Sequence, residues 1–173
     1  MIRNEAVDSS SKSRAPCSAD ACHVSKLARG DGRWKVVYKS QEQQIRFNTP
    51  AALGTDSTLS AKSATTVNIP VRRGDVIIAA TDGLFDNLFV NDILQVVTRA
   101  LRQRPLLGCA QTQEERAAEA DRLSQHLIEA ALSAAKHPTK RGPFAAQSEK
   151  VGYKFEGGKM DDVTCVVGIV GCD

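Results

Sequence analysis

An α+β fold is what the 173-residue sequence predicts, and three observations predict it. β-rich runs, "RWKVVYKS", "VIIAAT" and "VTCVVGIV", lie towards both ends of the patterned region. Between them stand two stretches whose apolar residues recur at helical spacing. Gly, Pro and acidic capping residues punctuate the boundaries.

The elements follow in order. Residues 1–29 are rich in Ser and Ala with scattered basic residues and no apolar period, and are expected to be a disordered arm. Asp31-Gly32 is a hairpin signal opening a strand through "RWKVVYKS". "QIRF" reads as the returning strand, leaving through "NTP". Residues 65–71 alternate loosely. Arg73-Gly74-Asp75 is a turn before Val76–Ala80, a run apolar on both parities and so expected to be a central strand covered on both faces. Asn91-Asp92 can cap a helix carrying Ile93, Leu94, Val96, Val97 and Leu101, ended by Pro105. Thr112 and Glu115 form a capping box for a long helix over 113–136, with Leu123, Leu127, Ile128, Ala131 and Leu132 as its buried stripe. His126 lies on the flank of that stripe. Residues 138–160 read as irregular loop, and a last strand follows Asp161-Asp162.

Composition excludes several classes. A net charge of +3 with both signs mixed, and few aromatics, gives no nucleic-acid surface. No apolar run is long enough for a bilayer, so no membrane partner is expected. Five cysteines in no framework spacing argue for a reducing, intracellular setting, mitochondrial or cytoplasmic. Cys17, Cys22 and His23 lack a second pair with zinc-finger spacing, and Cys165 reads as buried packing.

The chemistry concentrates at two strand ends. Asp82 follows the apolar run in "GDVIIAATDGLFDN", and Asp161 precedes the last strand in "GGKMDDVTCVVGIV". If those strands pair antiparallel with Asp82 opposite Asp161, Val76 falls opposite Val167. Facing Cβ atoms would then lie about 4.5–5.5 Å apart. Two ionised carboxylates that close repel, and a hard divalent cation removes the conflict. A single Asp-Gly after a strand is more often a turn, and that alternative stays open.

These two motifs resemble the later metal-binding motifs of the protein phosphatase 2C family of metal-dependent serine/threonine phosphatases. "VVYKSQEQQIRFNTPAAL" and "GPFAAQ" resemble the branch typified by the mitochondrial T-cell-activation phosphatase. The resemblance covers roughly residues 30–173 and implies an antiparallel β-sandwich flanked by helices, incomplete here because only the C-terminal part of the domain is matched. It implies Asp82 and Asp161 as metal ligands, Asp86 as a ligand of a further, weaker ion, Gly83 as the tight turn beside the metal and Asp162 as a flanking acid. It implies Mg²⁺ or Mn²⁺, two ions in the complete family site, activating water against a phosphoserine or phosphothreonine of a phosphoprotein substrate. The protein is expected to be a monomer.

The family's first-half motifs have no counterpart here: a metal-bridging Asp-Gly, the phosphate-receiving arginine and a Gly-Asp-Ser strand. The catalytic residues therefore stay unknown. The alternative reading is a non-catalytic fragment or interaction module lacking the first half of the site.

Overall fold

The chain turns back on itself where the sequence carries Asp31-Gly32. Both residues take positive φ, 51° and 75°, the geometry of a two-residue hairpin that matches strand twist. The computed structural model describes residues 23–52, 59–101 and 112–171. In it the turn joins β1 (His23–Gly30) to β2 (Arg33–Lys39).

The arm expected over 1–29 therefore stops short, because residues 23–29 belong to β1; the rest of it, with Cys17 and Cys22, lies outside the described residues. "HVSKLARG" looks like polar linker because Ser and Lys interrupt its apolar residues. Pairing with β2 on one side and β5 (Val76–Ala80) on the other supplies its backbone partners. The buried Lys26 is satisfied by Asp75 at 2.9 Å and the Pro70 carbonyl at 2.5 Å.

One antiparallel sheet results, in the order β2-β1-β5-β6, with β6 at Cys165–Ile169. β5 is central, as its unbroken apolar run predicts. Val76, Ile78 and Ala80 are buried beneath the helices, whereas Ile77 and Ala79 on the other face are only half-covered. The only other sheet among the described residues is a two-stranded ribbon of β3 (Gln44–Arg46) and β4 (Thr49–Pro50). "QIRF" thus does not return along β2. It folds into its own hairpin at Phe47-Asn48, where Asn48 takes φ 55°. Residues 65–71 form no strand.

α1 (Asp82–Phe85) is a single turn directly after β5, where the sequence showed only a turn signal. α2 (Val90–Ala100) begins where Asp92 accepts a hydrogen bond from the Phe89 N–H at 3.0 Å. α3 (Gln113–Ala135) carries the expected capping box, Glu115 N–H to Thr112 Oγ1 at 3.2 Å and Thr112 N–H to Glu115 Oε2 at 3.1 Å. Pro105, the expected stop of α2, lies outside the described residues. Where loop was expected, Gly142 and Pro143 start α4 (Pro143–Lys150), with Pro at a first-turn position that needs no N–H donor.

The core is built between one face of the sheet and α1–α3, from Leu27, Ile78, Leu84, Val97, Leu123 and Leu127 among others. α3 lies along β6, and its C-terminal end has a second task. Gly158 packs so closely there that a Cβ would stand 2.1 Å from the Ala134 carbonyl oxygen, and its N–H donates to the His137 carbonyl at 2.9 Å. That contact fixes the segment leading into Asp161. Among the described residues no helix is long and apolar enough to cross a membrane.

Leu127 is fully buried in this core. Leu127→Ala is expected to lower stability by about 2–5 kcal/mol, transfer and cavity costs together, measured by urea unfolding.

Candidate metal centre

β5 and β6 pair antiparallel, as the acidic strand ends required, but Val76 faces Ile169 and Val167 faces Ile78. The register expected from Val76 opposite Val167 is off by two residues. An even slip keeps every side chain on its face, which is why hydrophobic alignment could not detect it. The ladder continues past the strand ends: Thr81 N–H donates to the Thr164 carbonyl, and Thr164 N–H to Thr81 Oγ1, both at 3.0 Å. Thr81 Oγ1 in turn donates to the Asp162 carbonyl at 3.0 Å.

Asp82 then opens α1, and Asp86 lies four residues on, which puts both carboxylates on one side of a helical turn. Gly83 is needed for close approach rather than for an unusual φ. A Cβ there would stand 2.4 Å from the Asp162 carbonyl oxygen.

Asn87, 1% exposed, ties the two acidic segments together. Its Nδ2 donates to the carbonyls of Gly83 and Lys159, both at 2.8 Å, and its Oδ1 accepts from the Lys159 N–H at 2.9 Å. Three hydrogen bonds from one side chain thus hold the "GGKMDD" loop against α1.

The result is a triad. Ligand-type oxygens of Asp82, Asp86 and Asp161 lie within 4.8 Å of one another. Asp162 is exposed and stands outside it, its N–H donating to Asp161 Oδ1 at 3.0 Å. Lys159 reaches into the triad. Its Nζ is 2.7 Å from Asp86, 2.9 Å from Asp161 and 3.4 Å from Asp82. Burial pulls the Lys159 ammonium towards neutrality, but the hydrogen bonds to Asp86 and Asp161 outweigh it and raise its pKa. Burial pushes Asp86 up to about 6, against the opposing pull of Lys159.

Whether the residues suit a divalent cation is tested by what Lys159 leaves unsatisfied. Asp82 Oδ1 is buried and accepts no hydrogen bond. A buried carboxylate oxygen with no donor is a costly arrangement that a cation would relieve. The all-carboxylate donor set suits hard ions such as Mg²⁺ or Mn²⁺, so the residues fit the group.

Sequence reasoning missed four neighbours. Lys159 stands two places before Asp161 in a stretch whose sequence reads only as loop, and Asn87 follows Asp86 with no motif to mark it. His23 and Glu42 line the same pocket as Asp82, Asp86 and Phe144. Burial holds His23 below its usual pKa, despite Glu42 at 3.9 Å, and its Nδ1 is buried without a partner. His126 is exposed on α3, a flank residue. Cys165 is buried, which pushes its thiol up to about 11 and leaves it inert as a nucleophile.

Asn87→Ala is expected to destabilise the protein by roughly 1–3 kcal/mol for each buried group left unsatisfied, read by thermal unfolding. Asp86 carries a pH signature as well. Its folded pKa stands above its unfolded value of 3.8, so between about 4 and 6 the folded state binds more protons. That contribution stabilises the metal-free fold as pH falls through this window and fades as pH rises through about 6. An NMR titration of the Asp86 carboxyl carbon should show a midpoint near 6.

No family model matches the chain. It is 32% identical over 136 residues to "Probable protein phosphatase 2C 80" of Arabidopsis thaliana, covering 78% of this chain and 30% of that protein. It is 34% identical over 144 residues to "Protein phosphatase PTC7 homolog" of Homo sapiens, covering 79% of this chain and 43% of the relative. Among solved structures it superposes on the photosystem II phosphatase PBCP with a TM-score of 0.68 and 21% identity, over 87% of this chain and 56% of that one. The chain thus spans less than half the length of these two curated relatives. By sequence likeness over nearly four-fifths of its residues, and by its fold, the chain belongs to the protein phosphatase 2C family.

Proposed function

We propose that this chain carries part of the metal site of a protein serine/threonine phosphatase that hydrolyses phosphoserine and phosphothreonine in phosphoprotein substrates. The observation that carries the reading is the convergence of Asp82, Asp86 and Asp161 on one point, with Asp82 Oδ1 left without a donor. Asp82 and Asp161 would hold one ion and Asp86 would help hold a further, weaker one, with Mg²⁺ and Mn²⁺ equally suited to the oxygens. A bound divalent ion supplies Lewis acidity and a water made nucleophilic at neutral pH.

The chain's own residues do the rest. Three carboxylates in one place repel a phosphate group, so the substrate can approach only once cations outweigh them. Gly83 admits the Asp162 carbonyl against α1 and keeps the ligand-bearing segments in contact. Asn87 sets their spacing. His23 lines the pocket, and burial holds its imidazole below the usual pKa, which disfavours a competing positive charge there.

The reading extends to a monomer in an intracellular compartment, mitochondrion or cytoplasm, with neither nucleic acid nor membrane as partner. A second reading, a non-catalytic module, is favoured by one observation: Lys159 already supplies the triad with a cation.

Calorimetry with Mn²⁺, and phosphate release from a phosphothreonine peptide, separate the two. The first reading expects Mn²⁺ binding by the parent and at least a tenfold loss in Asp82→Asn and in Asp161→Asn, with any hydrolysis lost in parallel. Absence of Mn²⁺ binding by the parent would sink it. Binding without hydrolysis would favour the module.

A further inference from the structure

We infer that Lys159 is a resident cation of the acidic site, which a divalent ion must displace in order to bind. The inference rests on reading the triad as a metal site, and it adds how entry to that site is controlled.

The geometry is specific. One ammonium touches all three carboxylates, at 2.7, 2.9 and 3.4 Å, and its side chain is only 17% exposed. Mg²⁺ bonds oxygen at about 2.0–2.1 Å. An ion seated among the same oxygens would therefore lie within a few ångströms of Nζ. At that separation two cations repel strongly wherever water is excluded, so the ammonium and the metal compete for one place.

The lysine backbone cannot retreat to make room. Its N–H and carbonyl are both held by Asn87. Just before it, Gly158 is pressed against the C-terminal end of α3. Only the side chain can leave. Its Nζ already lies over the Phe144 ring, 4.9 Å from the centroid, so the ring can keep contact with the aliphatic stem as the ammonium swings out. Displacement is then a swing of one side chain within a fixed loop.

Without metal, Lys159 offsets part of the triad's negative charge. With metal, the lysine is released towards the pocket mouth.

The test compares the parent chain with Lys159→Met, which keeps the stem and removes the charge. Mn²⁺ affinity by calorimetry should rise at least tenfold in the variant. In the parent, acetylation of Lys159 followed by mass spectrometry should be slow without metal and accelerate severalfold on saturation with Mn²⁺. Equal or weaker Mn²⁺ binding by Lys159→Met, with unchanged labelling in the parent, overturns the inference and leaves the phosphatase reading standing. No Mn²⁺ binding by either protein overturns both. Should Lys159→Met fail to fold, parental labelling decides alone: acceleration by Mn²⁺ supports displacement, and an unchanged rate overturns it.

Discussion

The side chain of Asn87 is the constraint on which the site depends. Three hydrogen bonds from one buried amide join α1 to a loop 72 residues away. Neither segment would hold its place unaided. α1 is one turn long, far below the length at which a helix is stable by itself, and the loop carries two adjacent glycines. Between an end of the sheet and the C-terminus of α3, Asn87 turns two weak local structures into one rigid platform. Polar groups are costly in a core unless every one is satisfied, and here each arm of the amide is used.

Electrostatics explains the next layer. Asp86 is buried enough that its pKa rises to about 6 even with Lys159 beside it. A third of the triad's charge is thus conditional on pH, while the lysine's charge is not. Two further groups of the same pocket, His23 Nδ1 and Asp82 Oδ1, are buried without hydrogen-bond partners. Buried polar atoms without partners are rare in folded proteins, and here two of them stand in one pocket beside the charge cluster.

What the sequence revealed follows from how far each signal reaches. The Asp-Gly hairpin, the Thr112 capping box and the apolar run of β5 are local and strong, and each appears where it was expected. β1 was hidden because Lys26 finds its partners in Asp75 and the Pro70 carbonyl, contacts that no window around "HVSKLARG" contains. α4 was hidden because a glycine-proline pair can equally mark a loop. The meeting of Asp82 with Asp161 could be argued from strand ends, but the two-residue slip in register could not, since both registers keep the same faces buried. Lys159 carries no signal of its own. A lysine in a glycine-rich loop looks solvated until the fold places three carboxylates around it.

The distance along the chain between Asp82 and its lysine also orders events in time. The 77 residues separating them pass through the ribosome at about 5–20 residues per second, so roughly 4 to 15 s elapse between the two. For those seconds Asp82 and Asp86 exist without Lys159. Asp161 follows the lysine by two residues, so the third carboxylate is made only after its counter-charge, and the complete triad never stands on the growing chain without it.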